Sequence, residues 1–321
     1  MKRASVLLVS LWTLSLITAL VISVGSTQRA HIKRVRINYE KTSATELARS
    51  ALTTALLRLE EYINEDPDRE INYKDEIFLP IEITLATGTA HYQIFDESSL
   101  IDLNKNALVK KNILLNLPSS SPAIAGAITD WYDQDDIGTD GDGAETAYYE
   151  GLDVPYKCKN GDFNRIEELL LLRDVDREFY DNAKELLTLY GSDKVNLNTV
   201  SAKTLAVLLI SADSAANPNV ALADNVAQKL IEYRDQAEGS EDNKVFRELE
   251  SLLIDVGLTM DDERNIFNAL FLNAQMLKFN SSNFRIVVSA QSNNYKVKTN
   301  INAIYDFTDP AAIEMIYYYQ E

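Results

Sequence analysis

Cysteine occurs once in this 321-residue chain, as Cys158, which excludes an intrachain disulfide and any thiolate metal cluster. Histidine occurs twice, as His31 and His91, so histidine-rich zinc sites and most His-dependent triads lack their raw material. Glycine and proline are sparse at 11 and 7 residues, while apolar residues make up 46%; such a chain folds around a core. Cations are outnumbered, 31 Lys and Arg against 49 Asp and Glu, giving a formal charge of −18. Nucleic acid is bound through cation density, so this balance argues against it and favours basic or metallic partners. There is no Walker A sequence, no GxSxG elbow and no HExxH. Gly141-Asp142-Gly143 lacks the third glycine of a dinucleotide fingerprint, and its neighbours would repel phosphate. So thin a repertoire argues against an enzyme, with carboxylate-only chemistry left as the catalytic option. The length allows one large or two ordinary domains.

What is present begins at the N-terminus. Lys2 and Arg3 precede 24 uncharged residues, Ser5 to Gln28, before the next charge at Arg29. As a helix this run rises about 36 Å, enough to cross a hydrocarbon core. Lys2 and Arg3 place the short side in the cytoplasm by the positive-inside rule, a signal weakened by the cluster His31 to Arg36 beyond the run. The alternative is a secretory signal peptide cleaved near Gly25 or Ser26; the run exceeds the usual apolar region, and Val24 spoils the small-x-small site. From Ile32 to Ile63 there is no Pro or Gly, and Ala44, Leu47, Ala48, Ala51, Leu52, Ala55, Leu56, Leu59, Tyr62 and Ile63 line one helical face. Pro67 closes the segment. The pattern predicts a membrane helix running on into an amphipathic stalk.

After the stalk, residues 77–85 and 89–95 read as strands around a Thr87-Gly88 turn. Residues 284–290, 295–301 and 313–319 are similar β-branched or aromatic runs near the C-terminus. Between them the pattern is helical and Leu-rich. The predicted fold is therefore α+β: an N-terminal transmembrane and stalk helix (1–28 and 29–66) packed on an antiparallel sheet (67–103 and 284–321), with a large α-helical insertion (104–283). Two echoes lie inside the insertion. Phe163-x-x-Ile166-Glu167-x-Leu169-Leu170 resembles Phe246-x-x-Leu249-Glu250-x-Leu252-Leu253, and Ile101-Asp102-Leu103-Asn104 resembles Val195-Asn196-Leu197-Asn198. Amphipathicity plus Asn/Asp capping accounts for most of this likeness. Residues 195–209 also look like a helix-hairpin-helix element, for which the acidic surroundings favour packing over DNA binding.

The chemically informative stretch lies between Lys111 and Lys157, where no Lys or Arg occurs. It holds Asp130, Asp133, Asp135, Asp136, Asp140, Asp142, Glu145, Glu150 and Asp153. Carboxylates this dense repel unless solvated, protonated or metal-bound. Gly138, Gly141 and Gly143 let the backbone curl so that oxygens converge, and an oxygen-only set suits calcium. A merely solvated acidic loop is the bland alternative. The stretch is no EF-hand, because position twelve from Asp133 is Ala144 and Glu145 falls one late. No spacing singles out a glycosidase-like carboxylate pair.

In order, these residues resemble the K-type minor pseudopilins of bacterial type II (general) secretion systems. The likeness rests on the basic leader before Ser5-Val6-Leu7-Leu8-Val9 and on Asp96-Glu97-Ser98-x-x-Ile101-Asp102-Leu103-Asn104. It continues in Ile128-Thr129-Asp130-Trp131-x-Asp133-x-Asp135 leading to Gly143-Ala144-Glu145 and Tyr148-Tyr149. Pro155-Tyr156-Lys157, Asn160-Gly161-x-Phe163, Glu167-Glu168-Leu169-Leu170 and Val195-Asn196-Leu197-Asn198-Thr199 complete it, so it covers most of the chain to about residue 210. The block from Asp130-Trp131 to Glu145 is its specific part. The resemblance implies a pilin-like α/β fold with a helical insertion, inner-membrane insertion with the bulk of the chain in the periplasm, and no catalysis. It implies a tip complex with I- and J-type minor pseudopilins that initiates the pseudopilus, and contacts with other pseudopilins, the inner-membrane assembly platform and membrane lipid. It implies trimming by prepilin peptidase between Ala4 and Ser5, although Ala4 stands where glycine is usual. Val9 is then the fifth mature residue, where ordinary pilins carry Glu, and its lack of charge suits a terminal subunit. Carried over residue by residue, the calcium ligands are Asp133, Asp135 and Glu145, with Asp140 and Asp142 as further candidates.

Two rivals remain from other classes. A membrane-tethered, calcium-dependent periplasmic hydrolase would use acidic-loop carboxylates and needs a carboxylate of raised pKa in a cleft. A helix-hairpin-helix DNA-uptake protein would bind DNA in a salt-sensitive way.

Overall fold

The computed structural model describes residues 2–65, 71–105, 110–139, 143–212, 219–235, 246–247, 256–273, 275–294, 296–309 and 311–321; Pro67 lies outside them. Helix α1 runs unbroken over Lys2–Glu65, 64 residues, or about 96 Å at the α-helical rise. Its N-terminal part is long and apolar enough to cross a membrane, with mean hydropathy 1.8 and none of that window buried. Side chains from Val9 to Val24 stand open, Trp12 at 73% exposure. The C-terminal part behaves oppositely. Ala44, Leu47, Ala48, Ala51, Leu52, Ala55 and Leu59 are buried, and Leu56, Tyr62 and Ile63 are partly so. The face predicted from periodicity is thus the face that meets the sheet. Ala44, Ala48 and Ala55 have no exposed surface at all, so small side chains set the close approach.

The sheet is antiparallel throughout, in the order β1-β2-β7-β8-β9, built from β1 (Ile81–Leu85), β2 (Gly88–Asp96), β7 (Asn283–Ser292), β8 (Lys298–Asp306) and β9 (Glu314–Gln320). Alternation decides which side packs. Ala90, Tyr92 and Ile94 on β2 pair with Ala290, Val288 and Ile286 on β7, and the last two pair onward with Ile301 and Ala303 on β8. All are buried beneath α1. Three local readings shift, one of them the run read at 295–301, whose strand is Lys298–Asp306. Residues 76–78 form a 3-10 turn rather than the start of β1, and the hairpin turns at Ala86-Thr87, leaving Gly88 as the first residue of β2. There a Cβ would lie 2.2 Å from the Gln291 carbonyl oxygen, so glycine is required.

The chain leaves this sheet at Asp96 and re-enters at Asn283, on neighbouring strands. An insertion between paired strands keeps its two ends together, so the ladder stays whole. Residues 101–102, expected with the sheet, pair instead inside the insertion. Two units follow one another there. The first opens with β3 (Ile101–Asp102), continues through α2 (Lys110–Asn116), α3 (Pro122–Tyr132), α4 (Thr146–Glu150) and α5 (Arg177–Ala183), and ends on β4 (Leu187–Thr188). The second opens with β5 (Val195–Asn196), continues through α6 (Ala202–Ala212), α7 (Val220–Asp235) and α8 (Asp261–Asn268), and ends on β6 (Leu277–Lys278). In each unit the first strand pairs in parallel with the last.

The sequence echoes mark equivalent contacts. Asn104 accepts from Phe163 N at 2.8 Å and donates to Phe163 O at 2.9 Å. Asn198 accepts from Phe246 N at 2.7 Å and donates to Phe246 O at 3.0 Å. Asp102 and Asn196 each accept from the amide two residues on, at 2.8 and 2.9 Å. One clamp used twice identifies two copies of one unit, beyond what capping explains. Of the second copy's Leu-rich echo, residues 249–253 lie outside the described residues. Residues 195–209, read as a helix-hairpin-helix element, are the opening strand and first helix of that second unit.

The insertion and the sheet have separate apolar cores. A polar seam joins them. Asp96 accepts from Thr199 and Ser281, while Glu97 accepts from Thr188 and pairs with Arg285 at 2.7 Å. Arg234 stacks 4.3 Å above the Tyr73 ring and donates to Val200 O at 2.8 Å.

Candidate metal centre

The acidic loop hangs from the C-terminus of α3. Ser121 caps that helix, accepting from Ile124 N at 3.2 Å, and Pro122 occupies its first turn, where its missing N–H costs nothing. Asp130 and Trp131 fall on the buried face of its last turn. Trp131 donates to Glu168 at 3.2 Å, and Lys159 holds the same carboxylate at 2.8 Å. Burial alone would raise the Glu168 pKa, but hydrogen bonds from Lys159, Trp131 and Asn164 leave it lowered. Glu168 is therefore the charged post to which the loop's base is tied. Trp131 meets Tyr149 edge-on at 5.5 Å, and Tyr149 stacks on Tyr156 at 5.1 Å.

The return strand is pinned by small contacts. Gly161 N donates to Trp131 O at 3.3 Å, and Asn160 donates to Asp135 O at 3.0 Å from a left-handed backbone of φ 48°. Cys158 donates to Asp130 O at 3.3 Å, and burial pushes its thiol pKa up to about 11, so it sits as a neutral packing group. Arg173 donates to Gly143 O at 3.2 Å and lies 5.2 Å over the Tyr148 ring. That cation reaches a backbone oxygen and an aromatic face.

Asp133, Asp135 and Glu145 each bring one carboxylate oxygen to within 4.8 Å of the others. Asp140 and Asp142 lie outside the described residues. Behind the three stands Asp130, fully buried, with one oxygen held by Thr139 N at 3.0 Å and the other without a hydrogen-bond partner among the described residues. Glu145 is 9% exposed, and neither of its oxygens has a hydrogen-bond partner among the described residues. Burial, then Asp130, Asp133, Asp136 and Asp135, push its pKa up to about 7. A buried carboxylate without a donor is costly, and facing carboxylates compound the cost. A cation among these oxygens removes both penalties, and the donors are all hard oxygen atoms suited to calcium. The residues therefore fit such an ion. Gly143 completes the cradle: a Cβ there would lie 1.8 Å from Asp130 Oδ2 and 2.6 Å from Thr139 N.

Asp130 is one of the nine carboxylates of the acidic stretch, but nothing in the linear pattern singles it out as the fully buried one. The seam carries a cavity lined by Phe78, Leu79, Phe95, Leu100 and Arg285, about 480 Å³.

Residues 105–192, which hold this loop, match the family model described as type II secretion system (T2SS), protein K. In this unit the chain is similar to protein K. A stretch of 88 residues is 36% identical to the type II secretion system protein K of Aeromonas hydrophila, covering 27% of this chain and 27% of that protein. The match thus spans about a quarter of the length of the curated relative. Over almost the whole chain the fold is that of a solved structure, the GspK-GspI-GspJ complex from the enterotoxigenic Escherichia coli type 2 secretion system. The TM-score is 0.68 at 16% identity, covering 90% of this chain and 99% of that one. At that identity the likeness is one of fold: a stalk helix, an antiparallel sheet and a helical insertion, as predicted.

Proposed function

We propose that this chain is a minor pseudopilin of a type II secretion system. Anchored by α1 in the bacterial inner membrane with its head in the periplasm, it joins I- and J-type minor pseudopilins in a tip complex. That complex initiates the pseudopilus that drives export through the outer membrane. The observation that carries this reading is a protein K-like unit inserted between paired strands of a sheet that rests on a stalk helix. The I- and J-type partners are supported by the likeness in fold to a chain of the GspK-GspI-GspJ complex. Other pseudopilins, the assembly platform and prepilin peptidase follow as partners, with cleavage between Ala4 and Ser5.

The role is structural. Asp133, Asp135 and Glu145 hold calcium, and the ion supplies the positive charge that lets a carboxylate-rich loop close. The hydrolase alternative needs its carboxylate of raised pKa open to a substrate, and it is weakened because Glu145, which has the raised pKa, is buried. The test is co-purification of the full chain in detergent with I- and J-type minor pseudopilins, in calcium and in chelator. A stoichiometric ternary complex supports the reading; its absence in both conditions overturns it.

A further inference from the structure

Charge is segregated along this molecule. Seven of the 31 Lys and Arg lie in the first 41 residues, with Glu40 as the only acid there, while the remaining 280 residues carry 24 cations against 48 acids. Arg29, Lys33, Arg34 and Arg36 follow directly on the apolar run of α1. Every side chain from Arg29 to Tyr39 is exposed, and none of these four cations makes an ion pair or hydrogen bond among the described residues. Glu40, the nearest acid, is buried and accepts from Asn294 at 2.9 Å.

The helix geometry orders this collar. At about 100° per residue, Arg29, Lys33 and Arg36 fall within roughly 60° of one another. Ile32, Val35 and Tyr39, 53%, 67% and 67% exposed, form an adjacent stripe. Cations beside exposed apolar and aromatic side chains are the composition of a membrane interface. Depth agrees: the apolar run spans about 36 Å, and residues 29–36 add roughly 11 Å, which sets the collar at the headgroup layer.

The membrane face nearest the head is where a positive-inside bias should leave few cations, so these need a counter-charge. For Arg29 the acidic head is too far to supply it: Ala44, where burial against the sheet becomes continuous, stands about 22 Å away along the helix, more than two Debye lengths at physiological salt, whereas Arg36 lies one helical turn from the buried Glu40. Lipid phosphates at the headgroup layer lie within one Debye length.

We propose that Arg29, Lys33, Arg34 and Arg36 form a binding collar for anionic phospholipid headgroups on the membrane face nearest the head. This rests on α1 spanning the bilayer. Bound headgroups fix the depth of α1 and hold the acidic head off a surface of like charge.

The test uses the full chain in nanodiscs of mixed phosphatidylcholine and phosphatidylglycerol, with spin-labelled versions of each lipid as probes. The expected result is a several-fold preference for immobilising phosphatidylglycerol that falls with salt. It should be lost in R29Q/K33Q/R34Q/R36Q and kept in a head variant with the same charge change, K184Q/K194Q/K203Q/K229Q. Equal immobilisation of both lipids by the unaltered chain, or a preference surviving in the collar variant, overturns the proposal. A chain that stays soluble without detergent and never enters the disc overturns the membrane-span reading itself, a separate outcome.

Discussion

Glu145 carries two oxygens without a hydrogen-bond partner among the described residues, in a buried site, and its pKa is raised from 4.5 to about 7. In chelator, the folded state therefore holds a proton that the unfolded chain releases between pH 4.5 and about 7. The stability this contributes is full below 4.5 and is lost as pH rises through about 7, by up to about 3 kcal/mol before solvent screening. Urea unfolding across that window should show the fall, and E145Q should flatten it. Calcium should reverse it, since the ion binds the ionised form. A flat wild-type profile in chelator would refute the assignment. Gly143 makes a second test at this scale. G143A places a methyl group against Asp130 and the Thr139 amide, so a loss of roughly 1–3 kcal/mol is expected together with the calcium response. An unchanged melting temperature would show that the loop has room to move.

Among the elements, the duplicated strand-and-clamp unit holds the insertion together. Asn198 has no exposed surface and makes three bonds, two to Phe246 and one to Phe279 O at 3.0 Å. Asn104 makes two side-chain bonds, both to Phe163, and is half-buried. Both alanine variants strand backbone groups, at about 1–3 kcal/mol for each group left unpartnered. N198A should therefore cost more than N104A, and hydrogen exchange should speed at the Phe246 amide in the first and the Phe163 amide in the second. Equal costs would refute this ranking, and unchanged exchange at both amides would mean that neither clamp is needed to close its unit. The echo was visible in the chain as Asp/Asn-Leu-Asn before a helix, but residues 59 and 48 positions apart cannot be seen to touch from periodicity. The first unit carries a 30-residue stretch between α3 and Phe163 where the second has ten between α7 and Phe246. The acidic loop is the added length.

At the scale of the whole molecule, the seam decides whether insertion and sheet move together. Arg285 on β7 pairs with Glu97, 2% exposed, whose pKa burial already raises despite that pairing. R285M leaves Glu97 buried without its counter-charge, at a cost of about 3–5 kcal/mol at neutral pH. The deficit should shrink as pH falls and Glu97 takes up a proton, and E97Q/R285M should recover most of it. Denaturant unfolding of the three variants across pH reads this directly; a pH-independent deficit would assign the loss to packing. Loosening this seam should also weaken the ternary complex with I- and J-type partners if insertion and sheet act as one body in assembly.

The sequence by itself determined the elements whose signals are local. An uncharged run of membrane length, the small-residue stripe that meets the sheet, the strands at both ends and the position of the acidic loop all follow from periodicity and composition, because helix and strand each repeat within a few residues. Only the tertiary structure decided what converges. It buried Asp130 behind the loop carboxylates, turned two pairs of short strands into closures of equivalent units, and set Glu97 against an arginine 188 residues away. Those choices depend on where the chain returns to itself, and the free energy of such returns comes from cores and charges that no local window contains.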